Sequence, residues 1–193
     1  MSNFDKKRII RIITIAPIMA FAAITIIYAL KPQIFVRAVN YCLAVLFLTL
    51  LPISAYILKP LTRDNNCGRD GQRQLAILMA VIGYVCGTAW CLLSRAPKEL
   101  LIIYLLYLIS GLLILIFNKG LNIRASGHAC GVVGPIMLLS YLLSPVYLIG
   151  AIILIPVCWA SLKLKRHTWY ELLLGSLIPV IALLLSISIA MSF

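Results

Sequence analysis

Residues 100–117 read LLIIYLLYLISGLLILIF and contain no charged side chain. A helix rises 1.5 Å per residue, so a run of this length approaches the roughly 30 Å hydrocarbon core of a bilayer. In lipid the backbone must satisfy its own hydrogen bonds, which requires a helix or a closed barrel. The period-2 alternation of a barrel strand is not visible. This stretch therefore predicts a transmembrane helix.

The rest of the chain has the same character. Of 193 residues, 63% are hydrophobic and 11% are charged, whereas soluble domains average about 25% charged residues. Mean hydropathy is +1.08. We therefore expect an all-α, polytopic transmembrane helical bundle of about six to seven spans, forming one integral-membrane domain over residues 1–193. The expected apolar segments are 10–30, 36–58, 75–94, 100–117, 129–143, 146–162 and 171–191.

The basic residues indicate how the chain is oriented. Alternation of the segments places the N-terminus and loops 59–74, 118–128 and 163–170 on one face, and this face carries 13 of the 17 Lys and Arg residues. Cytoplasmic loops are enriched in these residues, so we expect this face to be cytoplasmic. The run Asp5-Lys6-Lys7-Arg8 precedes an apolar segment too long for a signal-peptide core, so the first helix is expected to remain as an anchor.

Neither the net charge of +12 nor the six cysteines indicates a nucleic acid, a metal or a cofactor. The charge follows from basic membrane margins, which can also meet an anionic lipid, so no nucleic acid is expected. No CxxC pattern is present, and four of the cysteines lie inside apolar runs. We therefore expect neither a metal nor a cofactor, and the cysteines are interpreted as small buried residues.

Both histidines of the chain fall on the basic face. His128 belongs to the run Arg124-Ala125-Ser126-Gly127-His128. A Ser-Gly pair at a helix start presents backbone N–H groups at the positive end of the helix dipole, where an anion binds readily. Ser126 is also interpretable as an ordinary N-cap. His128 and Arg124 add donor or cationic groups beside this position.

The second histidine, His167, precedes an acid by four residues. In a helix His167 and Glu171 would share one face. A carboxylate beside an imidazole fixes its tautomer and stabilises its cation, as a nucleophilic histidine requires. An ordinary i,i+4 pair at the membrane interface is the alternative.

Two arginines at the start of the third segment, Arg69 and Arg73, are four residues apart. Their guanidinium groups suit bidentate phosphate binding. Taken alone, this loop is also interpretable as a basic membrane margin.

Together the three loops resemble the type 2 phosphatidic acid phosphatase (PAP2) superfamily of membrane lipid phosphatases. That family carries Lys-x6-Arg-Pro, Pro-Ser-Gly-His and Ser-Arg-x5-His-x3-Asp. The chain shows Ala125-Ser126-Gly127-His128 for the second motif. For the third it shows Ala160-Ser161-x5-His167-x3-Glu171, followed by Gly175, and for the first only the two arginines. The motif-bearing core is roughly 59–175.

The resemblance implies metal-independent hydrolysis of a membrane lipid phosphate or diphosphate through a phosphohistidine. By that resemblance His167 is the nucleophile, Glu171 orients it, and His128 protonates the leaving alkoxide and then assists water. The expected phosphate-binding residues are Arg69, Arg73, Arg124, Ser126, Gly127 and Lys163.

The chain departs from the family pattern in several places. Ser161 stands where the family has an arginine, Glu171 replaces aspartate and Ala125 replaces proline. Lys163 could supply the missing cation, as could Lys59, Lys165 or Arg124. The family usually has its site on the extracytoplasmic face, whereas the charge count predicts that these loops are cytoplasmic.

Other function classes remain open. The alternative that we carry forward is a catalytically degraded relative that binds or carries anionic lipid. A transporter is disfavoured because no ionisable residue lies mid-membrane. A CDP-alcohol phosphatidyltransferase is disfavoured because its aspartate-rich pattern is missing.

Overall fold

The computed structural model describes residues 14–58 and 69–193, and the side chains of residues 14–55 and 75–193. The regular structure of this part of the chain is entirely helical, which confirms the predicted all-α class. Within residues 14–58 and 69–193 we distinguish seven main helices. They are α1 (Ala16–Leu30), α2 (Ala38–Val45, the π turn Leu46–Leu50 and Leu51–Leu58), α3 (Arg69–Leu93), α4 (Lys98–Leu115, extended by the π turn Ile116–Gly120), α5 (Gly127–Leu142), α6 (Leu154–Lys163, preceded by the 3₁₀ helix Pro145–Ile153) and α7 (Trp169–Ser192).

Five of these helical stretches are long and apolar enough to cross a membrane. The sequence predicts about six to seven spans, and the two remaining segments, α1 and α5, form shorter apolar helices over the residues described. The five stretches are Ala38–Ala55, Leu75–Leu93, Lys98–Gly120, Pro145–Lys163 and Trp169–Ser192.

Two helices differ from the predicted apolar segments, one in its first residue and one in its helix type. Helix α3 begins at Arg69, before the apolar run at 75, because hydropathy marks the part of a helix suited to lipid rather than the whole helix. The segment predicted over 146–162 is partly 3₁₀-helical rather than uniformly α-helical. The predicted turn at Ser144-Pro145 is present, with the Ser144 hydroxyl accepting a hydrogen bond from Val146 N.

Helix α4 forms the centre of the bundle. Its consecutive residues from Leu100 to Tyr107 are all buried, so the helix is covered on every side over this length. It packs chiefly against α7 and α3. A helix that is apolar all round is expected in such a position.

Helices α1, α5 and α7 run in the same direction. Thr14, just before α1, contacts His128 in the first turn of α5, and at the other end Lys31 Nζ donates to Leu142 O at 2.6 Å. Ser126 N, at the start of α5, donates to Glu171 O in the first turn of α7 at 2.9 Å. Three helices therefore begin at one end of the bundle.

Candidate active site at the shared helix starts

The His167–Glu171 pair lies at the start of α7. His167 Nδ1 donates to Glu171 Oε2 at 2.7 Å, and the two side chains are 20% and 17% exposed. The sequence interpretation placed both residues on one helix face, but α7 begins only at Trp169, so His167 precedes the helix. The contact forms because the N-terminal turn folds the chain back toward Glu171.

A capping box fixes the carboxylate of this pair. Thr168 is the N-cap of α7, and its hydroxyl accepts from Glu171 N at 3.4 Å. In return Glu171 Oε2 accepts from Thr168 N at 3.3 Å. The same carboxylate oxygen thus accepts from the imidazole and from the backbone, which orients His167 and leaves its Nε2 without a partner among the residues described.

The Ser126-Gly127 pair begins α5 as the sequence suggested. Ser126 is the N-cap, fully buried, and its hydroxyl accepts from Ala129 N at 3.3 Å. Its own amide donates to Glu171 O, so this N–H already has a partner. Within the described part of the chain, the Gly127 amide is therefore the N–H of the pair that remains available to an anion.

Gly175 allows the two histidine-bearing loops to meet. A Cβ at this position would lie 2.3 Å from Ser126 O and 3.0 Å from Ser126 N. Backbone atoms cannot move aside as a flexible side chain can. The absence of a side chain at Gly175 therefore lets the start of α5 rest directly on α7.

Asn118 holds the loop before α5 from the other side. Its Oδ1 accepts from Ala125 N at 2.7 Å, and its Nδ2 donates to Ala125 O at 3.3 Å. Sequence reasoning missed this residue. The available signal was a carboxamide at the end of an apolar run, on the same face as both histidines.

His128 shares a hydrogen bond with Thr14. The distance between His128 Nε2 and Thr14 Oγ1 is 2.9 Å, and the two residues are 114 positions apart. Thr14 was also missed, because a threonine inside an apolar segment carries no signal of its own.

The structure describes the side chains of some, but not all, of the expected phosphate-binding cations. Arg124 and Lys163 are exposed, and neither pairs with a carboxylate among the residues described. Arg69 and Arg73 lie in the first turns of α3, but the structure does not describe their side chains. Residues 59–68 of the first loop, including Lys59, lie outside the described residues altogether.

Ser161 lies on α6 and is buried, with 1% of its surface exposed. Its hydroxyl has no hydrogen-bond partner in the described part of the chain. This is the position at which the resemblance implies an arginine. Because Ser161 is buried, no solvent-exposed group occupies the place of the missing guanidinium.

The chemistry of this end of the bundle suits an anion. The starts of α1, α5 and α7 direct the positive ends of three helix dipoles toward it, and Arg124 adds positive charge in the loop before α5. Among the described residues, no group of three or more His, Cys, Asp or Glu side chains could hold a metal ion. No family model, curated protein or solved structure matches this chain.

Proposed function

We propose that this chain is a membrane lipid phosphatase of PAP2 type, acting without a metal through a phosphohistidine. The hydrogen bond from Ser126 N to Glu171 O carries the proposal, because it joins the loops that hold the two histidines. The loops come from separate helices, and their meeting is what a reaction at one phosphorus atom requires.

In the proposed reaction, His167 attacks phosphorus with its Nε2 lone pair, since Nδ1 is held by Glu171. The P–N bond forms, the P–O bond to the lipid alcohol breaks, and His128 gives a proton to the leaving alkoxide. A water molecule then gives a proton to His128 while its oxygen bonds to phosphorus, and the P–N bond breaks. The negative charge of Glu171 stabilises the cationic imidazole formed in the first step.

The apolar helices favour a substrate whose tail remains in the membrane. A lipid phosphate or diphosphate would keep its chains beside the helices and present its headgroup to Arg124, Lys163 and the Gly127 amide. We place the chain in the cell membrane as a multi-pass protein, with the N-terminus and these loops in the cytoplasm, from the distribution of Lys and Arg. Labelling of Cys67 by an impermeant thiol reagent in intact cells would contradict this orientation.

The direct test is release of phosphate by the purified full chain in detergent. Phosphatidate, phosphatidylglycerol phosphate and a polyprenyl diphosphate form the substrate panel. We expect turnover of at least one, inhibition by vanadate, and full activity in EDTA. His167→Ala should abolish both turnover and the labelled phosphoenzyme. Wild-type turnover in both His167→Ala and His128→Ala would refute the proposal.

The second candidate is a relative that binds or carries anionic lipid without hydrolysing it. The buried, unpartnered Ser161 hydroxyl favours it, because the cation implied by the resemblance is missing there. Ser161→Arg would bury a guanidinium at a position that is 1% exposed, so we expect a loss of folded protein rather than a faster enzyme. Binding of phosphatidate vesicles by a chain that releases no phosphate would favour this candidate.

Lys163 is tested as the phosphate-binding cation of the proposed phosphatase. If it supplies the phosphate-binding cation, Lys163→Ala should lower kcat/KM for phosphatidate, whereas Lys98→Ala, also exposed but at the start of α4, should not. Equal rates for the two variants would remove Lys163 from the proposed site.

A further inference from the structure

The first helix contacts the candidate site directly. Thr14 Oγ1 lies 2.9 Å from His128 Nε2, and Thr14 is 7% exposed. Thr14 lies outside the motif-bearing part of the chain, since it precedes every residue on which the PAP2 resemblance depends.

Close packing fixes α1 against α5 near this contact. A Cβ at Gly131 would lie 2.4 Å from Ala16 Cβ and 2.9 Å from Ala16 Cα. At the far end, the Lys31 ammonium group donates to the Leu142 carbonyl. Because α1 is held at both ends, the position of Thr14 is determined by the packing of the two helices.

A threonine hydroxyl suits a histidine that gives and takes a proton. The hydroxyl both donates and accepts. Because Nε2 faces Thr14, Nδ1 is the atom that gives its proton to the leaving alkoxide and takes one back from water. Nε2 keeps its proton and donates to the Thr14 hydroxyl in both states of the ring. Threonine is also β-branched, which restricts χ1 and limits the directions in which its hydroxyl can point.

We propose that Thr14 is a positioning residue for His128, so that the first helix is part of the active site. This inference rests on the proposed function, in which His128 protonates the leaving alkoxide. A general acid must stay within hydrogen-bond reach of the oxygen that it protonates. A hydroxyl on Nε2 holds the imidazole plane and prevents the ring from turning away.

The test compares Thr14→Val, which keeps the shape but removes the hydroxyl, with Thr14→Ser, which keeps the hydroxyl. Phosphatidate has an alkoxide leaving group that needs a proton, whereas p-nitrophenyl phosphate does not. General acid catalysis contributes roughly 10²–10⁴-fold. We expect Thr14→Val to lose on the order of tenfold in kcat on phosphatidate, a part of that contribution. It should retain its rate on p-nitrophenyl phosphate, and Thr14→Ser should retain both rates.

A double variant separates positioning from general packing. If Thr14 acts through His128, Thr14→Val should cause no further loss in a His128→Ala background, since coupled residues are not additive. Additive losses, or equal losses on both substrates, would show a purely structural role and overturn the inference.

A second pair of variants tests the same contact without changing Thr14. Gly131→Ala forces α1 away from α5, so it should reproduce the substrate selectivity of Thr14→Val. Gly134→Ala is the matched control on the same helix, because its Cβ would meet only Pro179 Cβ at an ordinary 3.6 Å. If Thr14→Val does not fold, this pair still decides the question, and equal behaviour of the two variants would overturn the inference.

The outcomes distinguish this inference from the proposed function. If His167→Ala is inactive while neither Thr14→Val nor Gly131→Ala changes substrate selectivity, only the role of Thr14 fails. If His167→Ala retains wild-type turnover, the proposed function fails and the role of Thr14 fails with it.

Discussion

The two histidines of this chain are held in opposite ways. His167 finds its partner four residues further along, in Glu171, within a single N-terminal turn. His128 contacts Thr14, which lies 114 residues earlier and belongs to another helix. The first contact follows from local geometry, whereas the second exists only because α1 and α5 pack side by side. The candidate site is therefore partly local and partly tertiary, and the two parts should fail differently.

Glu171→Gln removes the negative charge from the local contact and should have the largest effect. The amide keeps the shape of the side chain but loses the charge that stabilises the imidazolium and fixes its tautomer. We expect kcat on phosphatidate to fall by roughly 10²–10⁴-fold, in the range seen when a histidine loses its orienting carboxylate or its acid–base role. Glu99→Gln, at the exposed start of α4, is the control. Equal rates in the two variants would contradict the role of Glu171.

Gly175→Ala breaks the tertiary part while leaving the His167–Glu171 contact in place. Its new Cβ would lie 2.3 Å from Ser126 O, and the backbone on both sides must then separate. We expect a loss of about 3 kcal/mol, near the upper end for overpacking, measured as a lower midpoint of thermal unfolding in detergent. Gly111→Ala, whose Cβ would contact the Tyr84 ring at 3.5 Å, should change the midpoint little.

Asn118→Ala loosens the loop between α4 and α5, in which Asn118 and Ala125 are seven residues apart. It removes two hydrogen bonds to Ala125, so we expect a loss of about 1–2 kcal/mol in the free energy of unfolding. Faster hydrogen exchange at the Ala125 amide would locate the effect. Asn122→Gly is the control in the same loop, since Asn122 has a φ of 55° that glycine adopts readily. A protected Ala125 amide in Asn118→Ala would contradict this assignment.

Thr168→Ala refines the local part and should have the smallest effect. It removes the N-cap hydroxyl that accepts from Glu171 N, while the bond from His167 to Glu171 can still form. We expect a loss of about 1 kcal/mol in stability and a modest decrease in kcat. Thr168→Ser should restore both. A decrease as large as that of Glu171→Gln would mean that the cap, rather than the carboxylate, orients His167.

The sequence by itself determined the helical, membrane-suited character of this protein, because apolar runs near the thickness of a bilayer admit few other structures. It also indicated the turn at Ser144-Pro145, the helix start at Ser126 and the nearness of His167 to Glu171, since each depends on neighbours a few residues away. Hydropathy could not give the early start of α3 or the 3₁₀ stretch before α6, because it does not report backbone hydrogen bonding.

Only the tertiary structure decided the long-range contacts. The contact of Thr14 with His128, the burial of Ser161 and the close approach at Gly175 all depend on which helix faces which. Helices that are apolar on every side carry no stripe that specifies a neighbour, so the pattern of residues leaves their packing open. The packing is fixed by close contact between backbones and by individual hydrogen bonds between helices. Both depend on a pair of helices rather than on any one segment.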